Sequence, residues 1–140
     1  MARALPNKVA LVTGGNSGIG EATVHRLAQE GAQVVIVARR QAEGEAVEQA
    51  VRAAGGEATF ISCDVMDRPA VERTIAKTVV LYGGLHILFN NAGGSAPHQF
   101  RDADDAAWEK TLRLNLLSTY MVTQAAWPHL VNAGGGSIIN

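Results

Sequence analysis

The run Thr13-Gly14-Gly15-Asn16-Ser17-Gly18-Ile19-Gly20 follows directly on the apolar stretch Val9–Val12. A strand that breaks into glycines and then opens a helix is how a parallel α/β sheet makes a bed for a dinucleotide pyrophosphate. Glycines permit the tight turn and the close approach of backbone N–H groups, and the new helix offers unpaired N–H groups and its positive end. The spacing of Gly14, Gly18 and Gly20 is G-x-x-x-G-x-G. It is neither the G-x-G-x-x-G fingerprint nor a Walker A loop, because no Lys-Ser/Thr follows the last glycine, which argues against a nucleoside triphosphatase. Such a turn also serves as a ligand-free connection, so its meaning depends on what stands at the other strand ends.

The rest of the chain alternates strand and helix patterns. Strands are predicted at Lys8–Val12, Val34–Ala38, Ala58–Ser62 and Ile87–Phe89, and a fifth begins at Ser137-Ile138-Ile139-Asn140. Between them lie helical patterns over Gly20–Glu30, Glu43–Ala54, from about Pro69, and from Asp104 or Asp105. The first helix is expected to place Ile19, Ala22, Thr23 and Leu27 near one face. On the last helix Trp108, Leu112, Leu116 and Thr119 share a face with Asn115 beside them, and Pro128 is expected to bend or end it. This alternation predicts a Rossmann-like, doubly wound parallel sheet in a three-layer α/β/α arrangement, strand order 3-2-1-4-5, forming one domain over residues 1–140. The last residues fall within a core strand, where natural domains rarely stop, so the sheet is expected to be incomplete after strand five and the chain a piece of a longer one.

Ligands in such sheets bind outside the C-terminal strand ends. After strand two, where an NAD site wants an acid for the ribose 2′-hydroxyl, stand Ala38 and then Arg39-Arg40. A guanidinium grips a 2′-phosphate with paired hydrogen bonds, so NADP is favoured over NAD, with Arg39 ahead of Arg40; solvated loop arginines are the alternative. After strand three, Asp64 suits an adenine amino group, with Val65 beside the ring, and equally suits a turn. After strand four, Asn90-Asn91-Ala92-Gly93 combine polar amides with room for a flat ligand, and would also make a structural turn. Asn115 is a polar amide on an apolar helix face, which requires a hydrogen-bond partner: a water, a backbone carbonyl, or another helix.

Together, Thr13–Gly20, Asp64, Asn90–Gly93, Asn115 and the strand Ser137–Asn140 resemble the short-chain dehydrogenase/reductase family over nearly the whole chain. By that resemblance Gly14, Asn16, Ser17, Gly18, Ile19 and Gly20 surround the pyrophosphate and ribose, Arg39 stands where NADP-preferring members carry a basic residue, and Asp64 and Val65 match the adenine pair. Asn91, Ala92 and Gly93 match the segment along the cofactor ribose, and Asn115 the first member of an Asn-Ser-Tyr-Lys tetrad. The implied activity is hydride transfer between NADP(H), or NAD(H), and an alcohol or carbonyl substrate by a dimer or tetramer. The implied Ser and Tyr-x-x-x-Lys are absent from this chain: neither Tyr82 nor Tyr120 is followed by Lys four residues on. The chain alone is therefore expected to be inactive, and a non-catalytic nucleotide-binding or regulatory protein is the competing reading.

Charge and composition narrow the partners. A formal charge of -1 with scattered Lys and Arg gives no footprint for nucleic acid. Cys63 is alone, which excludes an internal disulfide framework and fits a reducing compartment. No apolar run reaches the length of a membrane span, so the cytoplasm is the expected location. The four histidines, including His98 near the expected mouth of the site, are not spaced as metal ligands.

Overall fold

A computed structural model describes residues 3–95 and 100–140. In chain order the elements are β1 (Val9–Thr13), α1 (Gly18–Gln29), β2 (Gln33–Ala38), α2 (Gln41–Ala53), β3 (Glu57–Ser62), α3 (Arg68–Tyr82) and β4 (Ile87–Asn90). A 3₁₀ turn at Phe100–Asp102, α4 (Asp105–Leu112), a π-helical segment at Arg113–Leu117, α5 (Ser118–Asn132) and β5 (Ser137–Ile139) follow. The five strands form one parallel sheet in the order β3-β2-β1-β4-β5. This is the topology expected from the alternation of strand and helix patterns.

The central strands β1 and β2 read as almost unbroken apolar runs because both faces of the sheet are covered there. Val9, Leu11, Val35, Val37 and Leu88 point to one face, where they meet Val71 and Ile75 of α3 and Val122, Ala126 and Leu130 of α5. Val12, Val34 and Ile36 point to the other, against Val24 and Ala28 of α1 and Val47 and Val51 of α2. The register aligns the C-terminal ends, with Thr13 beside Val37 of β2 and Asn90 of β4. Those aligned ends form the floor of the site.

Two local expectations are corrected. The buried face of α1 is Gly20, Val24 and Ala28, whereas Ile19 is 74% exposed. The packing stripe is chosen by Gly20, where a Cβ would run into the Gly14 carbonyl, and not by the count of apolar side chains. On α5, Pro128 does not end the helix, which continues to Asn132. Its missing N–H forfeits one helical bond, while Met121, Val122, Ala126 and Leu130 anchor the helix on both sides of it. No described helix is long and apolar enough to cross a membrane.

Candidate functional site

The glycine turn is fixed from both neighbouring strands. Gly14 donates its N–H to the Val37 carbonyl at 2.7 Å, joining the turn to the end of β2. On the other side the Thr13 hydroxyl oxygen accepts from the backbone N–H groups of Asn91 at 3.0 Å and Ala92 at 2.9 Å. Asn91 returns the contact, its Nδ2 donating to the Gly14 carbonyl at 3.1 Å. Thr13 is 2% exposed, so its hydroxyl is a committed acceptor for these two partly buried backbone donors.

A cleft of about 240 Å³ opens above these strand ends. From the glycine turn it is lined by Gly14, Asn16 and Ser17; from β2 and its loop by Val37, Ala38, Arg39 and Arg40. The end of β3 contributes Cys63, Asp64 and Val65, the end of β4 Asn91, Ala92 and Gly93, and the π-helical segment Leu114. Residues up to 100 positions apart in sequence thus face one cavity. Gly18, Ile19 and Gly20, in the first turn of α1, are not among the lining residues. Ser17, the N-cap of that helix, is extended and makes no side-chain cap bond, leaving the first-turn N–H groups without a side-chain acceptor. An anion is well suited to that position.

The polar residues of the cleft divide by how far they are already engaged. Asp64 accepts the Met66 N–H at Oδ1 (2.9 Å), which makes the turn, and its second carboxylate oxygen has no partner among the described residues. Arg40 pairs with Glu43 at 3.0 Å and reaches Ser17 Oγ at 3.5 Å. The Arg39 side chain, at the same rim, makes no hydrogen bond or ion pair among the described residues, although Ser62 Oγ donates to its carbonyl at 3.5 Å. Cys63 is packed in the wall beside Thr74, and burial pushes its thiol above the ordinary cysteine value. It acts there as a small apolar residue and not as a thiolate.

Asn115 lies outside the cleft lining. It sits in the π-helical segment, and its amide clamps the loop after β4: Oδ1 accepts from Gly94 N–H at 3.0 Å, and Nδ2 donates to the Gly94 carbonyl at 2.6 Å and the Thr111 carbonyl at 2.9 Å. Of the partners open to it in sequence, the side chain takes backbone groups. A Cβ on Gly93 would lie 2.6 Å from Asn115 Oδ1, so the clamp requires glycine there. Asn90 is structural, its Nδ2 donating to Thr123 Oγ1 (3.0 Å) and Asn140 Oδ1 (2.8 Å).

The short chain dehydrogenase family model matches residues 8–140. The chain belongs to that family. Among curated relatives of the chain, 2,5-dichloro-2,5-cyclohexadiene-1,4-diol dehydrogenase LinX of Sphingobium indicum is 43% identical over 140 residues, which is all of this chain and 56% of the relative. Dehydrogenase/reductase SDR family member 4 of Bos taurus is 39% identical over 136 residues, 96% of this chain and 49% of that protein. The crystal structure of a metagenomic short-chain oxidoreductase in complex with NADP matches with a TM-score of 0.90 at 34% identity, covering 97% of this chain and 62% of the other. The chain spans about half the length of the curated relatives it matches.

Sequence reasoning assigned no site role to Thr13, Val37, Cys63 or Leu114 of the chain. Thr13 carried a signal, a hydroxyl at the end of an apolar strand directly before the glycines. Leu114 carried none, since its aim into the cleft depends on the π-helical turn. His98 falls outside the described residues.

Proposed function

We propose that the cleft is the dinucleotide site of an oxidoreductase that transfers a hydride between NADP(H) and an alcohol or carbonyl substrate. The observation that carries the reading is the gathering of an uncapped helix N-terminus, the Gly14 turn, Arg39 and the open carboxylate oxygen of Asp64 around one cavity. The α1 N–H groups and the glycine turn hold the pyrophosphate, and Asp64 accepts from the adenine amino group with Val65 and Leu114 against the ring. Arg39, at the end of β2 where no acid stands, takes the 2′-phosphate with Arg40 in support. The bound nicotinamide supplies or accepts the hydride. Asn115 acts on this site by holding Gly94, which keeps the Ala92-Gly93 wall in place.

Proton exchange with the substrate oxygen needs a further group. Tyr82 is spent at the start of β3, the opposite end of the sheet, bonded to Thr59 Oγ1 (2.7 Å) and Glu57 (3.0 Å). Tyr120 is 53% exposed on α5, with Arg68 over its ring. Positioned acid–base groups are worth about 10²–10⁴-fold in rate, so these 140 residues alone bind cofactor without measurable turnover. The exposed stripe of Trp108, Leu112, Leu116, Tyr120 and Trp127 along α4 and α5 supports a homo-oligomeric assembly through that face.

Titration with NADPH and NADH, followed by nucleotide fluorescence, tests the reading. NADPH binds more tightly, and Arg39→Ala reduces that preference. Tighter NADH binding, or an unchanged NADPH affinity in Arg39→Ala, overturns the assignment.

A further inference from the structure

Arg40 occupies an unusual position in the cleft mouth. Its guanidinium is forked, with Nη1 3.0 Å from Glu43 Oε1 in the first turn of α2 and Nη2 3.5 Å from Ser17 Oγ on the glycine turn. The side chain therefore bridges the two banks between which a 2′-phosphate would enter. Its neighbour Arg39 carries no such carboxylate partner among the described residues. Of the two rim arginines, one is open to an anion and the other already has one.

We propose that Glu43 tunes cofactor choice by competing with the 2′-phosphate for Arg40. This rests on the reading of the cleft as a site for a 2′-phosphorylated dinucleotide. An incoming phosphate must share Arg40 with a carboxylate already bonded to it, and that carboxylate adds like-charge repulsion at the same spot. NAD carries a hydroxyl in place of the phosphate and is not penalised. Glu43 thus keeps the preference for NADP shallow, and a second, masked cation stands ready behind Arg39. The Arg40 and Glu43 side chains are 60% and 45% exposed, so the competition is screened by solvent. An exposed pair of this kind corresponds to about a 2- to 5-fold change in affinity.

Calorimetric titration of the wild-type chain, Glu43→Gln, Arg40→Ala and the double variant with NADP+ and with NAD+ decides the matter. Both positions are exposed, so the variants fold, and a thermal melt checks this directly. Glu43→Gln tightens NADP+ binding about 2- to 5-fold, leaves NAD+ unchanged, and loses that gain in the Arg40→Ala background. Weaker or unchanged NADP+ binding in Glu43→Gln overturns the proposal, because Glu43 would then steady Arg40 or be idle. A full gain that survives in the double variant also overturns it, since the carboxylate would be acting on the ligand without Arg40. The underlying reading fails separately, if the wild-type chain does not prefer NADP+ and Arg39→Ala and Arg40→Ala change neither affinity.

Discussion

Replacing Gly20 by Ala tests how closely α1 must approach the glycine turn. An added Cβ would fall inside the van der Waals envelope of the Gly14 carbonyl oxygen, 2.6 Å from Asn91 Nδ2 and 2.8 Å from the Gly14 carbonyl carbon. Two of those atoms are backbone, so no side-chain rotation relieves the clash. Either α1 withdraws or the Gly14 backbone shifts, and the Asn91–Gly14 hydrogen bond is lost with it. Overpacking of this kind costs about 1–3 kcal/mol, and loss of a neutral hydrogen bond about 1 kcal/mol. The better helix propensity of Ala returns up to about 1 kcal/mol, leaving a net loss of about 1–3 kcal/mol. For a domain of this size each kcal/mol lowers Tm by about 3–4 °C. Gly18 is the internal control: its φ is +57°, but a Cβ there meets nothing within 4 Å. Gly18→Ala should therefore cost only left-handed backbone strain, about 1–2 kcal/mol, and leave the turn in place. Urea unfolding gives both stabilities, and NADPH titration reads the turn. Cofactor affinity falls much further in Gly20→Ala than in Gly18→Ala. A Gly20→Ala protein as stable and as tight-binding as wild type would refute the close-approach argument.

Other expectations concern the floor and the base of the sheet. Thr13→Val leaves the Asn91 and Ala92 N–H groups without their acceptor and should cost about 2–4 kcal/mol, whereas Thr13→Ser keeps the oxygen and should cost about 1 kcal/mol by urea unfolding; equal losses would show the hydroxyl to be idle. At the other end of the sheet, His86 Nδ1 accepts the Val9 N–H at 3.0 Å, and burial, with Lys8 adding to it, holds the imidazole below its ordinary value of 6.5. The folded state then binds fewer protons than the unfolded state, so His86 contributes stability above about pH 6.5 that is lost as pH falls through and below it. His86→Gln, which keeps an acceptor and does not titrate, should flatten Tm between pH 7 and pH 5, and an unchanged acid slope would remove His86 as the cause.

The sheet order was legible because β-branched runs alternate with helical patterns at crossover length, and right-handed crossovers leave few alternatives. Most of the cleft was legible for a related reason: in a parallel sheet the C-terminal strand ends must converge, so Gly14, Arg39, Asp64 and Asn91 meet by topology. Side-chain direction was harder to see. Ile19 looked like packing surface, yet the stripe of α1 is set by an absent side chain at Gly20. Trp108, Leu112 and Leu116 follow helical spacing but are exposed, because periodicity places residues on a face without saying what covers it. Asn115 was singled out as a polar amide needing a partner, but that the partner is Gly94 follows from a π-helical turn that no local pattern announces.

The central claim is that the cleft above β1, β2, β3 and β4 holds a 2′-phosphorylated dinucleotide. A crystal structure of the chain grown with NADP+ tests it most directly. The pyrophosphate should lie over the Gly14 turn and the α1 N-terminus, the 2′-phosphate within hydrogen-bond reach of Arg39, and the adenine against Val65 with its amino group on Asp64. A dinucleotide bound elsewhere, or lying in the cleft with its 2′-phosphate turned away from both arginines, would contradict the account.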